Sequence, residues 1–196
     1  MTDHAHEMHQ PYSRFAMNRA GLWLFFVSEA FMFAGILAAR FSLFPGERPD
    51  LDQTLGLIVT SVLLLSSFFM YQAETAIKHG DQGRFVISTA LTAILGIGFL
   101  IGVVVIEWPL AISHGLTPDS GVIGAMFFFM TGMHAFHVFT GVIFILIVLF
   151  NGMKGFYSAE SHWGVESCAL YWHFVDVVWV FFYVALYLIG TVPGAH

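Results

Sequence analysis

Charged side chains are scarce in this chain. Asp, Glu, Lys and Arg make up 10% of its 196 residues, against about a quarter of a typical soluble domain. Hydrophobic residues make up 58%, and a water-soluble fold of this size could not bury so much apolar surface. The composition therefore excludes an ordinary soluble domain and predicts a polytopic membrane protein.

Basic residues and cysteines are scarcer still. The chain has 7 Lys and Arg against 13 Asp and Glu, which argues against a nucleic-acid partner because phosphate binding needs a basic face. The single cysteine, Cys168, excludes an internal disulfide and a Cys-rich metal or Fe–S site. Residues 1–20 lack the short apolar stretch and cleavage site of a signal peptide, so we expect the first hydrophobic segment to be retained as a helix.

Five apolar segments, each long enough to cross a bilayer, occupy most of the chain. We place them at residues 21–44, 54–77, 85–107, 121–150 and 168–190. This pattern predicts an all-α bundle of five transmembrane helices behind a polar arm, residues 1–20. The arm carries His4, His6 and His9, and its composition and terminal position predict a solvated tail rather than a metal site.

The few basic residues predict the orientation. One side of the membrane would hold Arg14, Arg19, Lys78, Arg84 and Lys154, and the other side only Arg40 and Arg48. Because loops on the inner side carry the excess of Lys and Arg, the N-terminus is expected inside and the C-terminus outside.

Ionisable residues inside the apolar segments are costly in hydrocarbon and need a partner or a functional reason. Glu29 and Asp176 lie about 12 and 13 Å from the inner side in the first and last segments. His137 lies about 18 Å from that side, with His134 one turn away on the same helical face. His173 and Asp176 are likewise three residues apart. Two carboxylates and at least two histidines could therefore meet in one layer of the bundle.

The spacing leaves three interpretations of these residues open. The first is a structural network in which histidines hydrogen-bond to carboxylates on neighbouring helices. The second is a metal or haem site, since three imidazoles and a carboxylate are an acceptable ligand set for a transition metal. The third is a proton path in which Glu29 is a relay group.

Other polar residues lie near the predicted helix ends. Glu74 and Glu107 are expected to be interfacial carboxylates that reach water. His162 and Glu166 lie in the loop before the last segment, where Glu166 would favour the N-terminus of the helix electrostatically. The sequence has no phosphate-binding loop, nucleophile elbow or zinc-protease motif, so no catalytic residue is predicted.

Several motifs, taken together, resemble subunit III of the haem-copper respiratory oxidases. The C-terminal third carries GMHAFHV at residues 132–138, HWGVE at 162–166 and YWHFVDVVW at 171–179. SEAFMF at residues 28–33 looks like the family's Ser-Glu-x-x-x-Phe stretch, and residues 107–108 and 117–124 resemble the segment before the next family helix. The resemblance covers about residues 20–190 and implies a single subunit III domain over residues 21–196.

The resemblance implies a non-catalytic subunit of a proton-pumping cytochrome c or quinol oxidase that reduces O2 to water. Subunit III packs beside the catalytic subunit I, supports proton uptake and binds phospholipids. Subunit II and possibly a small subunit IV would be further partners, and haem and copper are expected in the partner chains, not in this one. The chain matches the short five-helix bacterial form, which implies a multi-pass protein of the bacterial inner membrane.

The family's functional positions map onto residues already singled out. Its membrane carboxylate falls on Glu29, its histidine pair on His134 and His137, and its last-helix pair on His173 and Asp176. The resemblance makes a structural network the leading interpretation and disfavours a metal. The alternatives are an accessory subunit of nitric oxide reductase, an autonomous redox or metal-binding membrane protein, and a stand-alone proton channel.

Overall fold

A computed structural model describes residues 14–192 of the chain. Its helices are α1 (Arg14–Leu43), α2 (Gln53–Lys78), α3 (Gln82–Leu100), α4 (Trp108–Ser113), α5 (Val122–Met153) and α6 (Trp163–Tyr183). π-helical turns at Ile101–Glu107 join α3 to α4, and a second π-helical segment, Val184–Leu188, extends α6. With α3 and α4 forming one span, the described chain has five helices that are long and apolar enough to cross a membrane. The predicted all-α, five-helix fold is confirmed.

The first and last membrane helices begin earlier than predicted. α1 starts at Arg14, so residues 14–20 of the predicted polar arm are helical, and α6 starts at Trp163 rather than near residue 168. The two early turns support each other, because the rings of Phe15 and Trp163 meet edge-on with centroids 5.1 Å apart. The rest of the predicted arm, with its three histidines, lies outside the described residues.

The third membrane helix runs past its predicted end at residue 107. The π-helical turn shifts the N–H of Trp108 onto the carbonyl of Val103, five residues back. Pro109 then lies in the first turn of α4, where the missing N–H of a proline costs little. The extension adds the 6 residues of α4, about 9 Å of helix, and leaves Glu107 inside the span rather than at its end.

Aspartates begin the two helices of the first tight hairpin. Asp52 accepts hydrogen bonds from the amides of Thr54 and Leu55 at 2.8 and 2.9 Å, and Asp81 accepts one from Arg84 at 3.0 Å. These contacts satisfy amides that have no partner within the first helical turn. The polar turn predicted between the second and third segments is present, since α2 ends at Lys78 and α3 begins at Gln82.

Four membrane helices form a closed ring and the fifth lies outside it. α2 packs along α3, α3 along α5, α5 along α6, and α6 back against α2. α1 contacts α6 and α5, but much less extensively than the ring helices contact one another. Half of the apolar window of α6 is buried, against 17% of the window of α1, so α6 is the centre of the bundle and α1 its edge.

The packing of α6 depends on two tryptophans that are completely buried. Trp172 lies where α3 and α5 approach, above Gly96 and Gly141. A Cβ atom at either glycine would come within 3 Å of the indole, at 2.6 and 2.9 Å, so only glycine admits the ring at this depth. The second tryptophan, Trp179, meets Phe99 of α3 edge-on with centroids 4.8 Å apart.

Arg40 joins the last turn of α1 to the end of α6. Its side chain is fully buried, and it donates to the carbonyls of Phe44 at 2.9 Å, Glu47 at 2.5 Å, Ala185 at 3.1 Å and Ile189 at 3.2 Å. Carbonyls at a helix C-terminus lack intrahelical donors and carry partial negative charge. The guanidinium therefore finds its counter-charge in backbone dipoles, and it fixes the edge helix to the ring.

Replacing Arg40 tests this clamp. We expect Arg40→Leu to lower the free energy of unfolding by about 3 kcal/mol, because several buried carbonyls lose a charged donor at once. Chemical denaturation in detergent measures the change. Arg48→Leu is the matched control, since Arg48 is in the following loop and its side chain makes no hydrogen bond with a described residue. An equal loss in both variants would contradict the clamp.

Candidate functional site

Glu29 and His137 form a pair between α1 and α5. Nε2 of His137 lies 3.1 Å from Oε2 of Glu29, and its Nδ1 donates to the carbonyl of Met133 at 2.8 Å. Since a carbonyl only accepts, Nδ1 carries a proton, and one further proton is shared between Nε2 and the carboxyl. Wherever that shared proton sits, the pair as a whole is neutral. This is the least costly way to hold two ionisable groups in hydrocarbon.

Aromatic and hydroxyl groups hold the His137 end of the pair in place. Phe33 meets the imidazole edge-on, with ring centroids 4.9 Å apart. The hydroxyl of Tyr171 on α6 donates to the carbonyl of His137 at 3.1 Å and lies 2.8 Å from Oγ1 of Thr140. The side chains of the pair nevertheless remain 18% and 10% exposed, so the pair lies at the periphery of the bundle.

His134 is directed elsewhere, into the interior. It is completely buried, and its Nε2 donates to the carbonyl of Val175 on α6 at 3.2 Å. Its ring contacts Trp179 and Phe99 with centroids 4.7 and 5.5 Å apart. Its Nδ1 has no hydrogen-bond partner among the described residues, so the geometry is that of a neutral imidazole protonated on Nε2.

His173 and Asp176 lie on the face of α6 that packs against α2. Nδ1 of His173 lies 2.5 Å from the hydroxyl of Ser67. Asp176 is only 3% exposed, and neither of its carboxyl oxygens has a hydrogen-bond partner in the described chain.

The ionisable residues therefore do not form the single layer expected from their depths. Glu29 meets His137 as a structural network requires, but Asp176 meets neither histidine of α5, which corrects that part of the expectation. Among residues 14–192, no three His, Cys, Asp or Glu side chains converge as metal ligands would. The contacts that are present join neighbouring helices, α1 to α5 and α5 to α6.

Glu107 was expected to reach water and does not. It is 3% exposed, and one carboxyl oxygen accepts a short hydrogen bond from the hydroxyl of Tyr187. The other oxygen has no partner among the described residues. Both residues belong to π-helical segments, Glu107 ending the first and Tyr187 lying in the second. The two irregular turns therefore meet through a carboxyl–phenol contact, with the Tyr187 ring over Gly56.

His162 and Glu166, which were expected in the loop before the last helix, lie at the start of α6 because that helix begins at Trp163. His162 is the N-cap residue, and its Nδ1 donates to the carbonyl of Ser158 at 3.2 Å. Glu166 is in the first helical turn and acts electrostatically on Lys78 at the end of α2. In the preceding loop, a backbone amide and the Ser158 hydroxyl hold the pKa of the Glu160 carboxyl below its ordinary value.

Known proteins are similar to this chain along nearly its whole length. The family described as "Cytochrome c oxidase subunit III" has a model that matches residues 4–191. The chain belongs to the cytochrome c oxidase subunit III family. Relatives named cytochrome c oxidase subunit 3 are 36% identical over 95% of this chain in Thermostichus vulcanus and in Synechocystis sp., covering 92% and 79% of those proteins. The Rattus norvegicus relative is 35% identical over 88% of this chain and 70% of its own length.

Membership of the subunit III family confirms the resemblance drawn from the motifs. It makes the chain a multi-pass membrane subunit of a haem-copper oxidase, acting in respiratory electron transport in a complex with other oxidase subunits. The relatives' shared name also decides between the oxidase and the nitric oxide reductase alternatives, in favour of the oxidase.

Some residues that complete the subunit III polar contacts gave no signal in the sequence. Ser67 and Tyr187 are ordinary residues of apolar helices, and only tertiary packing reveals that they face His173 and Glu107. Arg40 was counted only as an outer-side charge. The one signal that the sequence offered was the position of Arg40 within an apolar run, because an arginine in a membrane helix must be paired or hydrogen-bonded.

A double-mutant cycle tests the Glu29–His137 pair. We expect Glu29→Gln and His137→Phe to be coupled by about 1–3 kcal/mol in unfolding free energy, because each removes the same contact. Glu29→Gln combined with Asp176→Asn serves as the control and should be additive, since these two residues share no contact. Denaturation of the five variants (three single and two double) and the parent in detergent gives both coupling energies, and an additive Glu29–His137 cycle would refute the pair.

The Glu107–Tyr187 contact has a matched control in the same helix. Tyr187→Phe should destabilise the chain by about 1–3 kcal/mol, because it leaves a buried carboxyl without its donor. Tyr183 stacks on Tyr187 with centroids 5.0 Å apart, and its hydroxyl makes no hydrogen bond with a described residue. Tyr183→Phe should therefore change the melting temperature little, and equal shifts in the two variants would count against the contact.

Proposed function

We propose that this chain supports the catalytic subunit I of its oxidase as a non-catalytic neighbour. The Glu29–His137 pair carries this proposal. Glu29 of this pair lies on α1, the helix least buried by the chain itself, and both side chains remain partly exposed at membrane depth. Ionisable groups in membrane helices face protein rather than lipid, so another oxidase subunit covers this face. Subunit I is that partner, with subunit II and a small subunit IV completing the complex.

The redox groups belong to those partners in this proposal. The three histidines within the described spans contact a hydroxyl, a carboxylate, backbone carbonyls and aromatic rings, and no three potential metal ligands converge among the described residues. Haem and copper would accordingly lie in partner subunits, where O2 is reduced. The contribution of this chain is to hold subunit I in a state that takes up protons and survives turnover.

A groove between α1 and α6 supports lipid binding. It encloses about 340 Å³, and its lining is apolar, formed by Ala30, Ala34, Leu37, Phe174, Val177, Val178 and Phe181. Small residues on α1 face aromatic residues on α6, which leaves a channel suited to an acyl chain. We propose that a phospholipid tail fills this groove and packs α1 onto the ring.

Family membership also supports a proposal for the location of the chain. A bacterial inner membrane agrees with the cyanobacterial relative. We propose that the N-terminus faces the cytoplasm. The burial of Arg40 among backbone carbonyls leaves Arg48 as the only outer-side basic residue free for solvent, which strengthens the charge bias behind this orientation.

Purification through a tag on this chain tests the function. We expect subunits I and II to co-purify and the complex to show haem absorption, while the chain separated from them is colourless. Stoichiometric haem or copper in the separated chain would contradict the non-catalytic role. So would recovery of the chain without any oxidase subunit.

Carboxyl variants test which face meets subunit I. Glu29→Ala should release this chain from the complex at lower detergent concentration, because it opens the pair at the exposed edge. Asp176→Asn is the matched control, since Asp176 is 3% exposed and does not reach the surface. Equal retention of the two variants would place the interface elsewhere.

A further inference from the structure

Glu29 presents an open hydrogen-bond acceptor in the middle of the membrane. It lies halfway along the 30-residue helix α1, about 22 Å from either end. Oε2 of Glu29 faces Nε2 of His137, but Oε1 makes no hydrogen bond with a described residue. The Glu29 side chain is 18% exposed, and its Oε1, unlike both oxygens of Asp176, is not enclosed by the chain. This oxygen therefore opens to the outside of the bundle.

The donors beside the pair are already engaged. The hydroxyls of Thr140 and Tyr171 both donate to the carbonyl of His137, at 2.9 and 3.1 Å, and Nδ1 of His137 donates to the carbonyl of Met133. The one further proton of the pair is shared between Nε2 and Oε2. These contacts leave Oε1 of Glu29 without a donor from the described part of the chain.

The surface around this oxygen is the α1–α5 seam, which we define by Phe25, Glu29 and Met32 on α1 and by Phe136 and His137 on α5. Phe25 and Met32 lie one turn to either side of Glu29 on the same helical face. Phe25 is 41% and Phe136 is 60% exposed. The seam therefore presents one polar acceptor between exposed apolar side chains. It shares no residue with the apolar groove between α1 and α6, so the two surfaces lie on different sides of α1.

Lipid has no donor to offer at this depth. The hydrocarbon core is about 30 Å thick, so the polar headgroups begin about 15 Å from its middle, and acyl chains carry no N–H or O–H group. A polar group without a partner in hydrocarbon is costly. In membrane proteins the partner is a side chain of a neighbouring helix. The depth of Glu29 thus favours a protein helix, rather than a lipid, as the occupant of the seam.

The neutrality of the Glu29–His137 pair selects the kind of donor. A lysine or arginine would bring an uncompensated charge to the middle of the membrane, whereas a hydroxyl, amide or indole N–H would satisfy Oε1 without adding charge. We propose that a membrane helix of subunit I packs along the α1–α5 seam and donates a hydrogen bond from a neutral side chain to Oε1 of Glu29. This inference rests on the proposed role of the chain beside subunit I, and it adds the side of α1 and the chemistry of the contact.

Two double variants separate the acceptor from the pair. Glu29→Gln with His137→Phe and Glu29→Met with His137→Phe both lack the pair, but only the first keeps a neutral oxygen at position 29. Retention of this chain is measured in the purified oxidase complex over a dilution series in detergent. We expect the variant with Glu29→Met to have an about tenfold higher dissociation constant, because the donor of the partner loses its acceptor. Equal dissociation constants would overturn the hydrogen bond.

Photo-crosslinking identifies the occupant without altering the pair. Benzoylphenylalanine is placed at Phe136 on the seam or, as the matched control, at Phe181, which is 58% exposed and lines the apolar groove between α1 and α6. We expect position 136 to form an adduct with subunit I and position 181 to form one with lipid. Position 136 giving adducts with lipid alone, or with a second copy of this chain, would overturn the placement.

The outcomes also distinguish this inference from the proposed function. A chain that co-purifies with no oxidase subunit overturns the proposed function, and this inference with it. An intact complex in which the two double variants dissociate alike overturns the hydrogen bond alone.

Discussion

The contact between α6 and α2 is the constraint on which the bundle depends. Hydrocarbon offers no water to satisfy polar groups, so each N–H and hydroxyl needs a partner within the protein. Trp172 and Trp179 are two turns apart on α6, and their indoles donate to Ser66 and Thr60 on α2 at 2.9 and 3.0 Å. These bonds fix the register of the two helices. This register also explains why glycine is needed at positions 96 of α3 and 141 of α5. The buried indole of Trp172 leaves no room there for a Cβ atom.

The helices themselves could be predicted from sequence because length and hydropathy decide them. An apolar run of about 20 residues has few alternatives to a membrane helix. Helix ends were less predictable, since they depend on contacts with other helices and on local irregularity. Phe15 extends α1 by packing on Trp163, and the π-helical turn carries the third span through Pro109. The position of Glu107 was misjudged for this second reason.

Depth was predictable for the candidate site, but direction around the helix was not. Counting residues places Glu29 and His137 at compatible depths, and they meet. Residues three apart on a helix share a face only approximately, because their side chains differ in direction by about 60° around the helix axis. That difference directs His137 to α1 and His134 to α6. It also turns Asp176 toward α2 rather than toward the histidines, so only the packing of the ring could show that the ionisable residues divide into two groups.

The two membrane carboxyls of these groups, Glu29 and Asp176, avoid an unpaired charge in hydrocarbon in different ways. Glu29 shares a proton with His137, and that pair is neutral without drawing on anything else, yet its exposed edge needs a protein neighbour. Asp176 is fully enclosed by its own chain and needs no neighbour, but with no donor it can be neutral only by holding a proton of its own. Association with another subunit therefore bears on Glu29 and not on Asp176. Because the two carboxyls share no contact, a subunit that covers α1 leaves the surroundings of Asp176 unchanged.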